Sequence, residues 1–599
     1  MQKRLARAEV PVELTWNLAD IFPSTEEWEK ELNAVAGDAG SVTKYKGRLG
    51  EGANVLLECL EAQEGLLKRL AKVATYASLK LSADGTDPAN QAAAGRARAV
   101  AARLQAETSF VQSEALALPE GTLERYLKEE PGMASFRRTI EKMIKEKPHV
   151  LGPETEKALA SIGEILSAPE MTYERSKSSD ITFESITDSK GNTLPMSFAL
   201  YEESYERSPD MTLRRNAFAS FTKGLRAYQN TWGATWGTEV KKNVVLARLR
   251  GYSSASEMLL ARQESTFDVY NNLHDIILKE LAPHMRRYAQ LRRKVLGLDK
   301  LLYCDIEAPL DPTFSPETTY EHGAEVILNG LSVLGPDYRD IIDKGLHNRW
   351  IDLAENIGKG TGAFCSGVYG IHPYILITWT GNMRNALMLS HELGHAGAGV
   401  LAMRNQRFSN TRGSMLFTEA PSTINELLVG NYILSQSTDS RMRRWVIGQF
   451  LMTYYHNFVR HLIEGELQRR IYALAEKGQP ITASVLSRVQ GEILEEFWAG
   501  EVVVDEGAGL TWMRQPHYYM GLYLYTYSSG LTIGTVVSKA IRDEGQPAVD
   551  RWLNVLKSGG TKTPVELAKM AGVDITDPEV IRGAVAYVGS LVDEVVKSF

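Results

Sequence analysis

Apolar residues recur at helical spacing through most of the chain. Segments 26–35, 54–78, 89–115 and 153–166 carry a 3.6-residue pattern filled with good helix formers, which predicts a helix over each. Asp84-Gly85-Thr86-Asp87 is the polar turn between the second and third. Pro88 then falls at the opening turn of the next helix, where a missing N–H does no harm. Segments 213–248 and 269–295 predict two further long helices, with Gly251 just past the end of the first. The period changes at 180–195. Ile181-Thr182-Phe183 and Ser185-Ile186, followed by the polar Asp188-Ser189-Lys190-Gly191-Asn192, predict a short β-hairpin. A second β region lies within 360–380, where residues 373–380 are rich in β-branched and aromatic side chains. Gly381-Asn382 turns that strand into the next apolar-periodic stretch, and the pattern after Glu426 is again mostly helical. No internal repeat and no low-complexity linker is visible, so the expected architecture is mainly α-helical with interwoven lobes around a small sheet.

Length makes two or more lobes the expectation, since 599 residues exceed the usual size of one hydrophobic core. Composition is that of an ordinary globular protein, with 44% hydrophobic and 24% charged residues. A formal net charge of -7 gives no basic excess to attract nucleic acid. The basic start, Met1 to Glu9, lacks the apolar core of a secretory signal. No run of 18 apolar residues is present to span a membrane. Cys59, Cys304 and Cys365 are too few and too widely spaced for a disulfide framework. Together these features predict a cytoplasmic protein without membrane or nucleic-acid partners.

One pentapeptide changes this picture. His391-Glu392-Leu393-Gly394-His395 follows Asn385 to Ser390 in an apolar-periodic stretch free of proline. On a helix, the two histidines stand one turn apart on the same face, the spacing that holds one zinc ion from two sides. Glu392 is placed to take a proton from a water on that metal. The plain alternative is a helix whose histidines face solvent or a polar core. Gly394 lowers helix propensity, and either a close approach or a small packing position explains it. A catalytic zinc needs a third protein ligand and one open position. Glu419 and Glu426 both lie in the next candidate helix, seven apart on one face, with Pro421 suited to its first turn. One carboxylate could bind the metal and the other could hold a ligand histidine through its second nitrogen. Spacing leaves open which does which, and both could be ordinary surface acids.

Three further features have two readings each. The 373–380 strand could offer its edge to a peptide backbone, with Tyr374 a candidate substrate contact, or could be purely structural. Cys365 could be a reactive thiol or a small buried side chain. His517 stands in a tyrosine-rich stretch with Tyr518, Tyr519, Tyr523, Tyr525 and Tyr527. Tyrosines at alternating positions are often one packed face. Tyrosine hydroxyls and a histidine can also serve as donors aimed at an oxyanion.

With these residues assembled, the chain resembles the thimet oligopeptidase and oligoendopeptidase F family of zinc peptidases, in its oligoendopeptidase F branch. The likeness is carried by Thr15 to Pro23, the strand from Pro373 to Thr378, His391 to His395, Glu419-Ala420-Pro421-Ser422, His517-Tyr518-Tyr519 and Tyr523 to Gly530. The resemblance implies a two-lobed, ellipsoidal, mainly helical zincin-type fold with a deep central channel. It implies an N-terminal helical region over 1–110, an oligoendopeptidase-type domain over 111–205 and a zinc peptidase domain over 206–599. It implies one zinc ion held by His391, His395 and Glu419, with Glu392 as catalytic base and short peptides as substrates. His517 and Tyr525 match positions that stabilise the oxyanion, while Glu426, Tyr518, Tyr519, Tyr523 and Tyr374 become outer-shell or substrate-contact candidates. Ala398 departs from many members, which carry another His there. The expected activity is hydrolysis of internal bonds in oligopeptides; the competing readings are an inactive peptide-binding protein and a zinc exopeptidase. Side-chain preference, natural substrate and oligomeric state have no marker in the sequence.

Overall fold

A computed structural model describes residues 5–599; the first four residues of the basic N-terminal segment lie outside them. The described residues are mostly helical, with five short strands. Several predicted helices appear nearly as read. Thr25–Gly37 opens at Ser24, whose hydroxyl accepts from the Glu27 amide, the side-chain cap that satisfies an otherwise orphaned N–H. Ala53–Ala83 and Met211–Leu249 extend the predicted segments at both ends.

Three predicted helices are interrupted, two of them for a clear local reason. The 89–115 segment is two helices, Pro88–Thr108 and Phe110–Ala117. Ser109 sits at the break with its hydroxyl donating to the Ala106 carbonyl at 2.8 Å, a local bond that competes with the helical ladder. The 153–166 segment divides at Ile162 into Pro153–Ser161 and Gly163–Leu166. The 269–295 segment runs as Phe267–Ile276, a π-helical turn Ile277–Leu281, then Ala282–Val295. Pro283 cannot donate to the carbonyl four residues back, and the wider turn absorbs the missing bond.

The hairpin is present but smaller than predicted. β1 (Ile186–Thr187) pairs antiparallel with β2 (Thr193–Leu194). Ile181 to Phe183 are not a strand. Phe183 instead packs its ring on Phe198 and Phe221.

The central sheet explains how the lobes join. β3 (Ile351–Asp352), β4 (Phe364–Gly367) and β5 (Pro373–Leu376) lie in the order β3-β5-β4. β5 pairs parallel with β3 and antiparallel with β4. The predicted 373–380 strand is therefore shorter, and it is central rather than an edge; the outer strand on its far side is β4. Alternation along the central strand sends Tyr374 and Leu376 into a core built from residues between Trp16 and Met143. Ile375 and Ile377 enter the larger core that runs from Tyr173 to Val595. A strand buried on both faces needs apolar residues at successive positions, which is why this stretch reads as an unbroken apolar run. Tyr374 is consequently no substrate contact. Its ring is fully buried edge-on to Trp16, and its hydroxyl donates to the Asn17 carbonyl at 3.2 Å.

No helix among the described residues is long and apolar enough to cross a membrane.

Candidate active site

The pentapeptide lies in the helix Met383–Asn405. Gly381, at φ 79°, makes the turn into it, and the Asn382 side chain caps it by accepting from the Asn385 amide. A second helix, Met415–Gln436, crosses it, carrying Glu419 and Glu426. This helix starts earlier than expected, with Ser414 as its cap, so Pro421 lies inside it and not in its first turn.

The crossing depends on Gly394. A Cβ at that position would stand 2.5 Å from the Pro421 carbonyl oxygen and 2.6 Å from the Ser422 Cα. Both are backbone atoms, so neither can swing aside. The glycine permits close approach of the two helices that carry the candidate metal-binding side chains. We expect Gly394→Ala to cost about 1–3 kcal/mol in stability, the usual range for overpacking, and to weaken metal binding. Thermal denaturation with and without added zinc will check both effects.

Among the described residues, one group of three is arranged to hold a metal ion. It comprises His391, His395 and Glu419, with one donor atom from each within 4.8 Å of the others. Glu419 Oε2 is 3.4 Å from His391 Nε2 and 3.6 Å from His395 Nε2. Tetrahedral bonds of about 2.0–2.1 Å place neighbouring donors roughly 3.3–3.4 Å apart, so the set fits zinc in both chemistry and spacing. Burial opposes charge on Glu419, but hydrogen bonds from both histidines outweigh it and hold its pKa well below the usual carboxylate range. Ser422 Oγ donates to the same carboxylate oxygen at 3.0 Å.

Glu426 takes the outer position. His391 Nδ1 donates to Glu426 Oε2 at 3.4 Å, leaving Nε2 turned toward Glu419. Thr453 Oγ1 donates to the other oxygen of Glu426 at 2.5 Å. The chain thus supplies a carboxylate placed to fix the tautomer of a candidate ligand histidine.

Glu392 is 7% exposed. Burial raises its pKa, partly offset by the neighbouring His391 and His395. It lines a cavity of about 400 Å³ together with the three metal-binding candidates and residues of β4. Cys365 is on that strand. Burial and the Glu392 charge push its thiol pKa well up, which leaves no thiolate for nucleophilic attack at neutral pH.

The tyrosine stretch divides into two groups. The helix Tyr525–Glu544 starts within it, so Tyr525 and Tyr527 point to nearly opposite sides. The rings of Tyr523 and Tyr527 lie 5.2 Å apart, and His517 lies 5.0 Å from Tyr523. Burial raises the pKa of both tyrosines, and the Glu419 charge adds to it. Tyr525 faces the other way. Its hydroxyl donates to Gln263 Oε1 at 2.9 Å, and its ring packs edge-on against Tyr270. Tyr518 stacks on Trp236 with ring centres 3.9 Å apart, and the Tyr519 hydroxyl bonds Thr235 at 2.7 Å. Tyr518, Tyr519 and Tyr525 are therefore packing residues, because a helical turn and not a flat stripe presents this segment.

The sequence reading missed the partners of His517. Gln515, Glu464 and His461 form a buried network behind it. Glu464 and His461 are three apart near the start of the helix His461–Glu476, more than fifty residues from Gln515, and no local pattern joins the two segments. Tyr527 was visible only as one tyrosine among five. Gly530, whose added Cβ would meet that of Glu419 at 2.8 Å, is what lets the tyrosine helix reach the metal-binding helix.

A His-Glu-x-x-His helix crossed by a helix that offers a carboxylate as the third donor, in a mostly helical two-core fold, defines a peptide hydrolase of the metallopeptidase class. The chain belongs to peptidase family M3, whose sequence profile matches residues 204–586; a second profile, oligopeptidase F, matches residues 114–183. It is 35% identical over 588 residues to the oligopeptidase PepF of Bacillus subtilis, spanning 98% of this chain and 88% of that one. Among solved structures, a peptidase from Chlamydophila abortus superposes with a TM-score of 0.88 at 26% identity, with 100% of both chains covered. The oligoendopeptidase-F of Enterococcus faecium superposes with a TM-score of 0.76 at 25% identity, covering 96% of this chain and 99% of that one.

Proposed function

We propose that the chain is a zinc-dependent endopeptidase that hydrolyses internal bonds of short peptides. The observation that carries this reading is the set of three donors at tetrahedral spacing with a buried glutamate beside them. His391, His395 and Glu419 would hold the metal. Bound there, zinc supplies Lewis acidity toward water and the scissile carbonyl.

The chain's own groups do the rest. Glu392 accepts a proton from the attacking water and later delivers it to the leaving amine. Burial serves this role, since a carboxylate of raised pKa is a stronger base than an exposed one. With zinc bound, Glu426 would hold the Nδ1 hydrogen of His391 and so leave Nε2 for the metal. Tyr523 and Tyr527, on the segment whose Gly530 packs against Glu419, are the hydroxyls available to an oxyanion, in place of Tyr525. The backbone of β4 beside the cavity offers hydrogen bonds to an extended peptide, which gives affinity with little side-chain demand. Oligopeptide substrates fit the names of the relatives.

Two measurements test the reading. Mass spectrometry of products from a peptide library should show internal cleavage, unaffected in kind when either terminus is blocked. Cleavage confined to one free terminus would make the protein an exopeptidase. For the oxyanion wall, Tyr523→Phe or Tyr527→Phe should lower kcat by about 10²–10³-fold, the usual cost of one oxyanion donor. Tyr525→Phe should leave kcat nearly unchanged and cost about 1 kcal/mol of stability through the lost bond to Gln263. A larger kcat loss in Tyr525→Phe would reverse the assignment.

A further inference from the structure

His517 lies beside Tyr523 and Tyr527, and the hydrogen-bond chain behind it has a polarity that can be worked out. Gln515 is buried, with Nε2 2.6 Å from Glu464 Oε2 and Oε1 2.5 Å from His517 Nδ1. The same Glu464 oxygen lies 3.1 Å from His461 Nδ1. Arg514, just before Gln515, is anchored to Glu206 by bonds of 2.8 and 3.1 Å, which fixes the backbone under this segment.

Each link leaves one arrangement. Burial pushes the Glu464 pKa up, but bonds from His461 and Gln515 and the charge of Arg460 outweigh it and keep the group ionised. An ionised carboxylate only accepts. The Gln515 amide must therefore present its NH₂ to Glu464, because the flipped amide would set two oxygens 2.6 Å apart. Its carbonyl then faces His517, and an oxygen 2.5 Å from Nδ1 requires the hydrogen to be on Nδ1. Burial and the neighbouring His461 lower the His517 pKa to about 4, so the ring is neutral at pH 7. A neutral imidazole with hydrogen on Nδ1 has only a lone pair on Nε2. Among the described residues, no protein group bonds that Nε2, and the ring lies beside Tyr523 and Tyr527.

We propose that Glu464 and Gln515 are positioning residues that present His517 to the bound peptide as a hydrogen-bond acceptor, so that Nε2 takes a backbone N–H of the substrate and does not donate to the oxyanion. This rests on the peptidase reading for its ligand, a peptide backbone amide. It assigns the two sides of the reacting bond to different partners: N–H groups to His517, oxyanion to tyrosine hydroxyls. His461, stacked on Tyr527 at 4.4 Å, ties the tyrosine wall to the same carboxylate.

The test has two arms. The first is NMR of the full chain labelled with ¹⁵N,¹³C-histidine at pH 7, with the His517 signals identified by their loss in His517→Phe. The expected result is a neutral ring protonated at Nδ1, shifting toward the Nε2–H form in Gln515→Met. An Nε2–H or charged ring in the wild-type chain would overturn the proposal. The second arm measures peptide Kd in the Glu392→Gln background, using a series N-methylated at one backbone position each. One member should bind about 3–10-fold more weakly, as expected for a lost neutral hydrogen bond, and that penalty should vanish in His517→Phe. A penalty unchanged in His517→Phe would also overturn it. Neither arm needs turnover, so a failure of the catalytic reading is a separate observation.

Discussion

Replacing Glu392 by glutamine should lower kcat by about 10²–10⁴-fold, the range that a positioned general base contributes, while the protein keeps its full complement of metal. The substitution is nearly isosteric, and Glu392 is not among the three donors that converge. Glutamine cannot accept a proton at the pH of the reaction, so what disappears is the transfer from water and its return to the leaving amine. The neighbours define the control. Burial raises the Glu392 pKa against the opposing pull of His391 and His395, so an uncharged amide fits this environment without a stability penalty. Single-turnover cleavage of a quenched fluorescent peptide, with metal content measured on the same samples, checks the claim. Normal turnover in a metal-replete Glu392→Gln sample would remove Glu392 from the mechanism. Absence of cleavage in the wild-type chain would favour the inactive peptide-binding reading.

How much of this was legible in the sequence depends on the range of the interaction. The pentapeptide could be read because a helix converts i, i+4 spacing into a shared face without help from the rest of the fold. The helices of the N-terminal lobe were legible for the same reason. Glu419 against Glu426 was not decided by spacing, because residues seven apart share a face whichever one the metal uses. The fold separates them by height along the crossing helix: Glu419 meets both Nε2 atoms, and Glu426 meets only the far side of His391. Tyr525 was assigned by the resemblance alone, and a one-dimensional match does not show which side of the helix Tyr525–Glu544 a tyrosine faces. Tyr374 was misread because an apolar strand with two buried faces gives no sign of which core each residue enters. The Gln515–Glu464 pair had no local signal at all, since contacts between distant segments are set by packing alone.

The two glutamates of the crossing helix should separate cleanly on metal binding. Glu419→Gln replaces a charged oxygen donor that both histidines face, and it should abolish stoichiometric zinc and activity together. Glu426→Gln should keep the metal with affinity lowered about 10–100-fold, the usual effect of losing an outer partner of a ligand histidine. The amide could still accept from His391 Nδ1 through its oxygen, but without the carboxylate charge that strengthens His391 as a ligand. Activity in Glu426→Gln should therefore return when zinc is raised, whereas excess zinc should not rescue Glu419→Gln. Chelation of the wild-type chain should abolish cleavage, and added zinc should restore it. Competition titration with a chromogenic zinc chelator, run on all three proteins, gives the affinities directly. Equal affinity losses in the two variants would mean that the carboxylates share the metal, and the distinct roles that the 3.4 Å contacts on opposite nitrogens of His391 assign to them would have to be abandoned.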